Sequence, residues 1–174
     1  MISPERFKAI KLIITDIDGV LTDGRTGYGA PDFIKFFNYK DGQWIRMAMR
    51  SGLMVGFLSG RKCKANEHRA AELGVTFCKE DIINKGEEFK NILKECNVAP
   101  DECLYIGDDV IDIPVMRKVG IAVAPADAVT PVIEYVDWQT SRCGGYGVLY
   151  EVIERVLRES GKLDQAMERY RSDS

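Results

Sequence analysis

A short apolar run that ends in two closely spaced carboxylates constrains this chain more than any other feature. Residues 12–14 (Leu-Ile-Ile) are typical of a buried parallel strand, and Asp16, Asp18 and the turn-forming Gly19 follow at once. Because side chains two apart on an extended strand share a face, we expect both carboxylates to project into one small space. Acids held that close repel each other, so they need a cation or a division into nucleophile and acid. The alternative is an Asp-rich turn without chemistry, since Asp and Gly favour turns for local reasons.

The rest of the sequence alternates short apolar runs with amphipathic segments. Further strands are predicted at residues 53–58, 75–78, 103–107, 119–124 and 135–138, the last a short edge strand. Helices are predicted from near Gly42, capped by Asp41, to Gly52, and then at 67–73, from Lys85, at 128–134 and at 148–159. This alternation predicts an α/β fold, a doubly wound (Rossmann-like) parallel sheet with helices on both faces.

Two segments have compositions of their own. The glycines, proline and aromatics of residues 22–40 predict a small β-hairpin, which we call the flap. Gly144, Gly145 and Gly147 predict a flexible segment before the last helix, and the polar last dozen residues are expected to project or fray. We expect one domain over residues 1–174, with a tail from about 144 to 174.

Polar side chains follow three of the predicted strands at the point where each strand ends. They are the pair Asp16 and Asp18, then Ser59, then the pair Asp108 and Asp109. Because the carboxyl ends of strands in a doubly wound sheet lie along one edge, we expect these groups to converge on a ligand site. Taken alone, Ser59 could instead cap the next helix, and Asp109 with Asp112 could be a helix cap and a first-turn acid.

Charge and cysteine usage exclude several classes of protein. The formal net charge of −3 gives no bulk attraction to nucleic acid or to an anionic membrane, so we expect neither partner. No apolar run approaches the roughly 20 residues that a transmembrane helix needs. The five cysteines are an odd number without CxxC spacing, which indicates neither a disulfide framework nor a zinc site. We therefore expect a cytoplasmic protein that holds any substrate anion with local groups.

Four segments in order resemble the motifs of the haloacid dehalogenase-like phosphatases. They are the DIDGV strand end, the LSGR strand end, a lysine that opens a later helix (Lys85) and the GDDVID strand end. The resemblance spans about residues 11–155 and implies the phosphatase fold and activity of that family.

The resemblance also implies a role for each motif residue. Asp16 would be the nucleophile that forms an aspartyl-phosphate, and Asp18 would protonate the leaving alcohol and then activate water. Ser59 and the backbone around Gly60 would bind a phosphoryl oxygen. Lys85 would neutralise charge on the phosphoryl group and orient the nucleophile.

A metal site is implied at the same place. Mg²⁺ would be held by Asp16, Asp108 and the backbone carbonyl of Asp18, since hard oxygen ligands suit this ion. Asp109 and Asp112 would hold metal-bound waters or the motif lysine. The cation would also remove the repulsion between the nucleophile and a phosphate dianion.

Spacing between the motifs leaves no room for a cap domain. Only 42 residues separate Asp16 from Ser59, and another 25 separate Ser59 from Lys85. The first gap is filled by the flap and one helix, and the second by one helix and one strand. A site without a cap lies open to water, so it must accept a large substrate or be covered by a neighbouring subunit.

Longer segments resemble the 3-deoxy-D-manno-octulosonate 8-phosphate (KDO 8-P) phosphatases and relatives that act on nine-carbon keto-acid phosphates. These segments are DIDGVLTDG, FIKFFNYKDG, LSGR, RAAELGV, YIGDDVIDIPVM, VGIAVAPADA and GGYGVLYEV. The resemblance implies a homotetramer that associates through the flaps, with the glycine-rich tail of one chain able to enter a neighbour's site. Arg61, Lys40 and Asp41 match positions near the substrate-binding mouth.

Three departures from the family pattern leave the substrate open. Before the motif lysine, Glu80-Asp81 and Asn84 stand where the family often has a Gln-Gly pair and an aspartate. Tyr150 replaces an arginine of the usual tail, and tyrosine cannot pair bidentately with a carboxylate. Ser59 replaces the commoner threonine.

The first hypothesis is a Mg²⁺-dependent phosphatase for KDO 8-P, a sugar-acid phosphate. The alternatives are a phosphatase for a nine-carbon keto-sugar acid phosphate or another small phosphomonoester, and an inactive tetrameric binding or regulatory subunit, which the intact catalytic set disfavours.

Overall fold

The computed structural model of the chain describes residues 2–28 and 33–171, and the elements named here lie within those ranges. The α-helices are α1 (Pro4–Ala9), α2 (Tyr39–Arg50), α3 (Lys64–Leu73), α4 (Lys85–Cys96), α5 (Ile113–Met116), α6 (Val148–Glu159) and α7 (Leu163–Arg171). The strands are β1 (Leu12–Thr15), β2 (Gly27–Tyr28), β3 (Phe33–Ile34), β4 (Met54–Leu58), β5 (Phe77–Lys79), β6 (Cys103–Ile106), β7 (Ile121–Ala124) and β8 (Trp138–Gln139). Short 3₁₀ helices cover Pro100–Glu102, Val110–Asp112 and Thr130–Tyr135.

Strand β1 lies inside a six-stranded parallel sheet whose order is β5-β4-β1-β6-β7-β8. Thr15, the last residue of β1, is level with Phe57 in β4 and with Ile106 in β6. The residues that follow these three strands are therefore brought to one edge of the sheet. The structure confirms the predicted doubly wound α/β fold.

Apolar side chains cover both faces of the sheet, as expected of parallel strands. One core lies between the sheet and helices α1, α2, α3, α6 and α7, and Ile13 and Ile153 are among its fully buried members. The other core lies under α4 and α5 and contains Leu12, Ile14 and Phe89. Alternate residues of β1 thus point to opposite cores, and the strand is fixed from both sides.

The C-terminal part of the chain is built into the first core. Helix α6 carries an apolar stripe at helical spacing whose members are buried: Val148, Leu149, Val152, Ile153, Val156 and Leu157. The prediction that the last dozen residues project was wrong for α7, because Leu163, Ala166 and Met167 recur at helical spacing and pack against the same core. Residues 172–174 lie outside the described part of the chain.

The glycine-rich segment before α6 is held against its own chain. The backbone N–H of Gly144 donates to Asp127 Oδ1 at 2.8 Å, and that of Gly145 donates to the carbonyl of Val20 at 2.9 Å. A Cβ atom on Gly144 would lie 2.0 Å from the carbonyl oxygen of Gly19. Glycine is therefore required here for close packing, rather than for the flexibility that the sequence suggested.

The flap contains the short antiparallel pair β2 and β3, with Tyr28 packed edge-on against Phe33 at 5.5 Å between ring centroids. Residues 29–32, which fall in the predicted flap, lie outside the described residues. Large apolar side chains of the flap and of the start of α2 are exposed: Tyr28 (86%), Ile34 (52%), Phe36 (80%) and Tyr39 (82%).

Several local predictions need correction. Asn38, rather than Asp41, caps α2, since its side chain accepts the N–H of Lys40. The helix predicted at 128–134 is the 3₁₀ helix Thr130–Tyr135, and α1 was not predicted at all. Among the described residues, no helix is both long and apolar enough to cross a membrane.

Candidate active site

Asp16 directly extends β1 into the edge of the sheet where the strand ends meet. Its backbone N–H donates to the carbonyl of Ile106 at 2.8 Å, which continues the pairing of β1 with β6. Its side chain is almost fully buried, and Oδ1 accepts the N–H of Ile17 at 2.7 Å. The other oxygen, Oδ2, lies 2.9 Å from Lys85 Nζ. The carboxylate is thereby fixed by neighbours on both oxygens.

Lys85 is the first residue of α4, and its side chain has no solvent exposure. The side chain of Asn84 caps this helix by accepting the N–H of Glu87, which sets the direction in which Lys85 leaves the helix. Burial by itself would lower the pKa of the Lys85 ammonium group, but Asp16 and Asp112 together outweigh it, so the pKa is raised. Lys85 therefore stays protonated beside Asp16.

Asp112 forms the far side of this cluster and is satisfied on both oxygens. Its Oδ1 lies 2.7 Å from Lys85 Nζ and accepts the hydroxyl of Tyr105 at 2.6 Å. Its Oδ2 accepts the backbone N–H groups of Asp108 at 3.0 Å and Asp109 at 3.2 Å. A Cβ atom at Gly107 would lie 2.4 Å from this carboxylate, so only glycine leaves room for it.

Sequence analysis missed Tyr105, which lies in β6 and is fully buried. Burial, with the nearby carboxylate of Asp112, raises the pKa of its hydroxyl well above the usual value, so the group remains a proton donor. A tyrosine in a buried strand needs a hydrogen-bond partner for its hydroxyl. That requirement was the available signal, but it does not identify the partner.

Three carboxylates, those of Asp16, Asp108 and Asp112, offer oxygen atoms within 4.8 Å of one another. Burial raises the pKa of Asp16 to about 7 against the opposing effect of Lys85, and burial with the nearby Asp16 raises that of Asp108 to about 8. Oδ1 of Asp108 is buried and has no hydrogen-bond partner in the described part of the chain. Each oxygen of Asp112 already has two partners, whereas each oxygen of Asp16 has one. Asp16 and Asp108 therefore keep the lone pairs that a divalent cation would need.

Asp18, two residues beyond Asp16, has a lysine of its own. Its Oδ1 lies 2.7 Å from Nζ of Lys35, which follows β3 in the flap. Gly19 is in the left-handed region, with φ of 84°, and a Cβ atom there would lie 2.0 Å from Asp108 Oδ2. The turn after Asp18 thus packs directly against the Asp108 carboxylate. Sequence analysis missed Lys35.

The Ser59 loop follows β4 on the other side of β1. Ser59 is buried, and its Oγ accepts the N–H of Arg61 at 3.2 Å, which shapes the turn through Gly60. Ser59 does not cap α3, because that helix begins at Lys64 with Cys63 as its cap residue. The Arg61 side chain is exposed.

Lys40 and Asp41, which the resemblance places near the opening of the substrate site, differ in exposure and in contacts. Lys40 is exposed in the first turn of α2. Asp41 is buried, and its Oδ1 accepts the N–H of Tyr150 at 2.8 Å, so it serves as the N-terminal cap of α6. Burial raises the pKa of Asp41 to about 6. The structure does not bring this carboxylate to an open substrate surface.

Two remaining residues have local roles. Asp109 is exposed and caps the 3₁₀ helix Val110–Asp112, with its Oδ1 accepting the N–H of Val110. Tyr150 packs between Trp44, at 5.1 Å between ring centroids, and the guanidinium of Arg142, at 4.9 Å from the ring. Tyr150 thus fills an aromatic stack at the start of α6.

Comparison with known proteins agrees with this geometry. The chain is similar to the 3-deoxy-D-manno-octulosonate 8-phosphate phosphatase KdsC of Escherichia coli strain K12, with 43% identity over 158 residues, 90% of this chain and 84% of the relative. Its structure is similar to a probable YrbI family phosphatase from Pseudomonas syringae pv. phaseolica 1448a, with a TM-score of 0.94, 37% identity and 98% of each chain covered.

A further solved structure carries ligands. It is the KDO 8-P phosphatase of Moraxella catarrhalis in complex with a magnesium ion, a phosphate ion and KDO, with a TM-score of 0.93, 27% identity and 97% of each chain covered. Residues 79–152 also match the haloacid dehalogenase-like hydrolase family. With close relatives covering nearly its whole length, the chain belongs to the KDO 8-P phosphatase family of haloacid dehalogenase-like hydrolases.

Proposed function

We propose that this chain is a Mg²⁺-dependent phosphatase that hydrolyses KDO 8-P to KDO and phosphate through an aspartyl-phosphate. The observation that carries the proposal is the buried cluster in which Lys85 lies 2.9 Å from Asp16 and 2.7 Å from Asp112, with Asp108 alongside. Burying charged side chains is costly unless they are paired, and buried ionisable groups with perturbed pKa values are concentrated at functional sites.

Asp16 is the nucleophile in this proposal. Its Oδ2 is held by Lys85, and its other oxygen is fixed by the backbone of Ile17, so little reorganisation precedes attack on phosphorus. The bond between Asp16 and phosphorus forms as the ester bond breaks. Lys85 offsets negative charge on the phosphoryl group, and Asp112 with Tyr105 keeps the lysine in place.

Asp18 transfers the protons. It gives a proton to the ester oxygen as the alcohol leaves, and as a carboxylate it then takes a proton from the water that attacks the aspartyl-phosphate. Ser59 and the backbone N–H groups of its loop bind a phosphoryl oxygen. Arg61 and Lys40 are the exposed cations that we assign to the rest of the substrate.

Asp16 and Asp108, with the backbone carbonyl of Asp18, would hold the Mg²⁺ ion, while Asp109 and Asp112 support its surroundings. The ion supplies charge neutralisation between the carboxylates and a phosphate dianion. Two observations on the described residues support this assignment: Oδ1 of Asp108 has no hydrogen-bond partner, and the pKa values of Asp16 and Asp108 are raised. A bound cation would coordinate the free oxygen and would stabilise both carboxylates in their charged form.

We further propose that the chain acts in the cytoplasm as a homotetramer that associates through the flaps. The exposed apolar side chains of the flap support the association of subunits, because a soluble monomer rarely leaves such a patch uncovered. A neighbouring subunit would also cover a site that has no cap domain.

A screen of phosphorylated sugars and keto-sugar acids with and without Mg²⁺ tests the activity. We expect strong, Mg²⁺-dependent preference for KDO 8-P. Preference for a nine-carbon keto-sugar acid 9-phosphate would favour the second candidate, which stays open because Tyr150 replaces the usual arginine of the tail. Absence of phosphatase activity would favour a binding or regulatory subunit instead.

A further inference from the structure

A buried lysine from the flap reaches the residue that we assign to proton transfer. Lys35 follows β3, between the exposed side chains of Ile34 and Phe36. Its own side chain is only 2% exposed, and its Nζ lies 2.7 Å from Asp18 Oδ1. Burying an ammonium group is costly unless it is paired, and here the ion pair with Asp18 offsets that cost.

A second partner fixes the direction of Lys35. Its Nζ donates to Asn66 Oδ1 at 3.0 Å, and Asn66 is fully buried in α3. The Nδ2 of Asn66 donates to Glu80 Oε1 at 2.9 Å, which also accepts the N–H of Cys63. Because its amide hydrogens are directed at Glu80, the amide oxygen of Asn66 can only face Lys35.

Each of the two neighbouring carboxylates therefore has its own lysine. Asp16 is paired with Lys85 from the start of α4, and Asp18 is paired with Lys35 from the flap. The two lysines hold two adjacent acids in separate positions, so that one can act as nucleophile while the other exchanges protons.

We propose that Lys35 is a positioning residue that holds Asp18 for proton transfer, which makes the flap part of the catalytic apparatus. This inference rests on the proposed phosphatase activity. When Asp18 has given its proton to the leaving alcohol, Lys35 holds the resulting carboxylate by the ion pair. That carboxylate then takes a proton from water as the water oxygen bonds to phosphorus and the bond from phosphorus to Asp16 breaks.

The test compares two substrates of similar size that differ in their need for a proton. p-Nitrophenyl phosphate has a leaving group that departs unprotonated, whereas phenyl phosphate benefits from general acid catalysis. With Lys35→Met we expect kcat/KM for phenyl phosphate to fall about tenfold more than for p-nitrophenyl phosphate. The inhibition constant of inorganic phosphate should change by less than about twofold, because Lys35 acts on Asp18 and not on the phosphoryl group.

Three further variants make the result decisive. Lys35→Arg should restore most of the selective loss, because it keeps a cation near Asp18. Asn66→Ala should give a smaller loss of the same kind, and it serves if Lys35→Met fails to fold, as judged by thermal unfolding. Lys90→Met, an exposed lysine of α4, is the matched control and should leave both substrates unchanged.

Other outcomes overturn the proposal. Equal losses for the two substrates, with a raised phosphate inhibition constant, would make Lys35 a phosphate-binding residue. Unchanged kinetics in a folded Lys35→Met protein would make the ion pair with Asp18 irrelevant to turnover. If the unaltered chain hydrolyses neither ester with Mg²⁺, the proposed function itself fails, which is a separate result.

Discussion

Lys85 and Asp112 form an ion pair at 2.7 Å in which neither side chain is exposed to solvent. Such a pair repays the cost of burial only when its remaining polar atoms also have partners. Here Asp112 additionally accepts the Tyr105 hydroxyl and the backbone N–H groups of Asp108 and Asp109. One carboxylate therefore fixes both the lysine and the loop that carries Asp108 and Asp109.

The first prediction concerns the nucleophile. Asp16→Asn should lower kcat by at least about a thousandfold, because the amide cannot form the phosphoryl intermediate although it fills nearly the same volume. Phosphate binding and thermal stability should be largely retained. If kcat of this variant for KDO 8-P or p-nitrophenyl phosphate equals that of the unaltered chain, the assigned mechanism is excluded.

A second prediction links the metal to pH. Burial raises the pKa of Asp16 to about 7 and that of Asp108 to about 8, so protons compete with a cation below these values. Mg²⁺ affinity should therefore rise between pH 6 and 8, by up to about tenfold per pH unit for each proton displaced. Calorimetric titration with Mg²⁺ at several pH values measures this.

Asp108→Asn is the matched variant for the metal site. It removes one anionic ligand and one of the two titrating groups, so Mg²⁺ should bind more weakly and with a shallower dependence on pH. EDTA should inhibit the unaltered enzyme reversibly. Full activity after exhaustive chelation is incompatible with the assignment.

The third prediction concerns Tyr105. Tyr105→Phe removes the hydroxyl that Asp112 accepts at 2.6 Å, and we expect a loss of about 1–3 kcal/mol in the free energy of unfolding. kcat should fall several-fold with little change in KM, because Lys85 becomes less well fixed. Urea unfolding and steady-state kinetics test both effects. Tyr135→Phe, at an exposed position, is the control and should change neither quantity.

The fourth prediction concerns the pH dependence of stability. Burial raises the pKa of Asp41 from 3.8 to about 6, so between these values the folded chain binds a proton that the unfolded chain has lost. The contribution of Asp41 to stability thus decreases as pH rises through this window, and the loss is complete above about pH 6. Asp41→Asn should abolish this contribution while keeping an oxygen that can cap α6.

Urea unfolding at pH 5 and pH 7.5 separates two effects of Asp41 on stability, the titration of its carboxyl group and its capping of α6. Relative to the unaltered chain, Asp41→Asn should gain stability on going to the higher pH, on the order of 1–2 kcal/mol. Asp41→Ala loses the cap and should be less stable than Asp41→Asn by about 1 kcal/mol at both pH values. A difference between the unaltered chain and Asp41→Asn that is independent of pH would show that Asp41 does not titrate in this range.

The fifth prediction concerns assembly. Sedimentation at micromolar concentration should give a mass about four times that of the 19.6 kDa chain. Phe36→Asp introduces a charge into the exposed apolar surface of the flap and should favour smaller species. Ile83→Asp changes an even more exposed apolar residue outside the flap and is the control. A fully active monomer would contradict the shared site.

The sequence allowed the sheet and the strand ends to be predicted because both depend on local signals. Apolar runs such as residues 12–14 predict buried strands, and the polar residues that follow them meet because parallel strands end together. The helix α7 could also have been predicted from the helical spacing of Leu163, Ala166 and Met167. Its polar composition concealed that pattern.

Some contacts between distant parts of the chain could not be predicted, because neither a local pattern nor the family resemblance indicated them. Asp41 and Tyr150 are 109 positions apart, and the carboxylate that matches a substrate-mouth position is instead the cap of α6. Lys35 lies in an exposed flap, where a lysine is ordinarily solvated, and only the folded chain shows that Asp18 and Asn66 surround it. Hydrogen-bond partners of this kind depend on tertiary structure and leave no periodic signal.

Asp108, Gly19 and Gly144 form a stack with no side chain at either glycine. A methyl group on Gly19 would meet the Asp108 carboxylate, and one on Gly144 would meet the carbonyl of Gly19. Random mutagenesis at either glycine should therefore return inactive chains, whereas neighbouring Tyr146, which is exposed, should tolerate replacement. Redesign of the substrate preference therefore has to exchange side chains around these three residues, because neither glycine has room for a side chain.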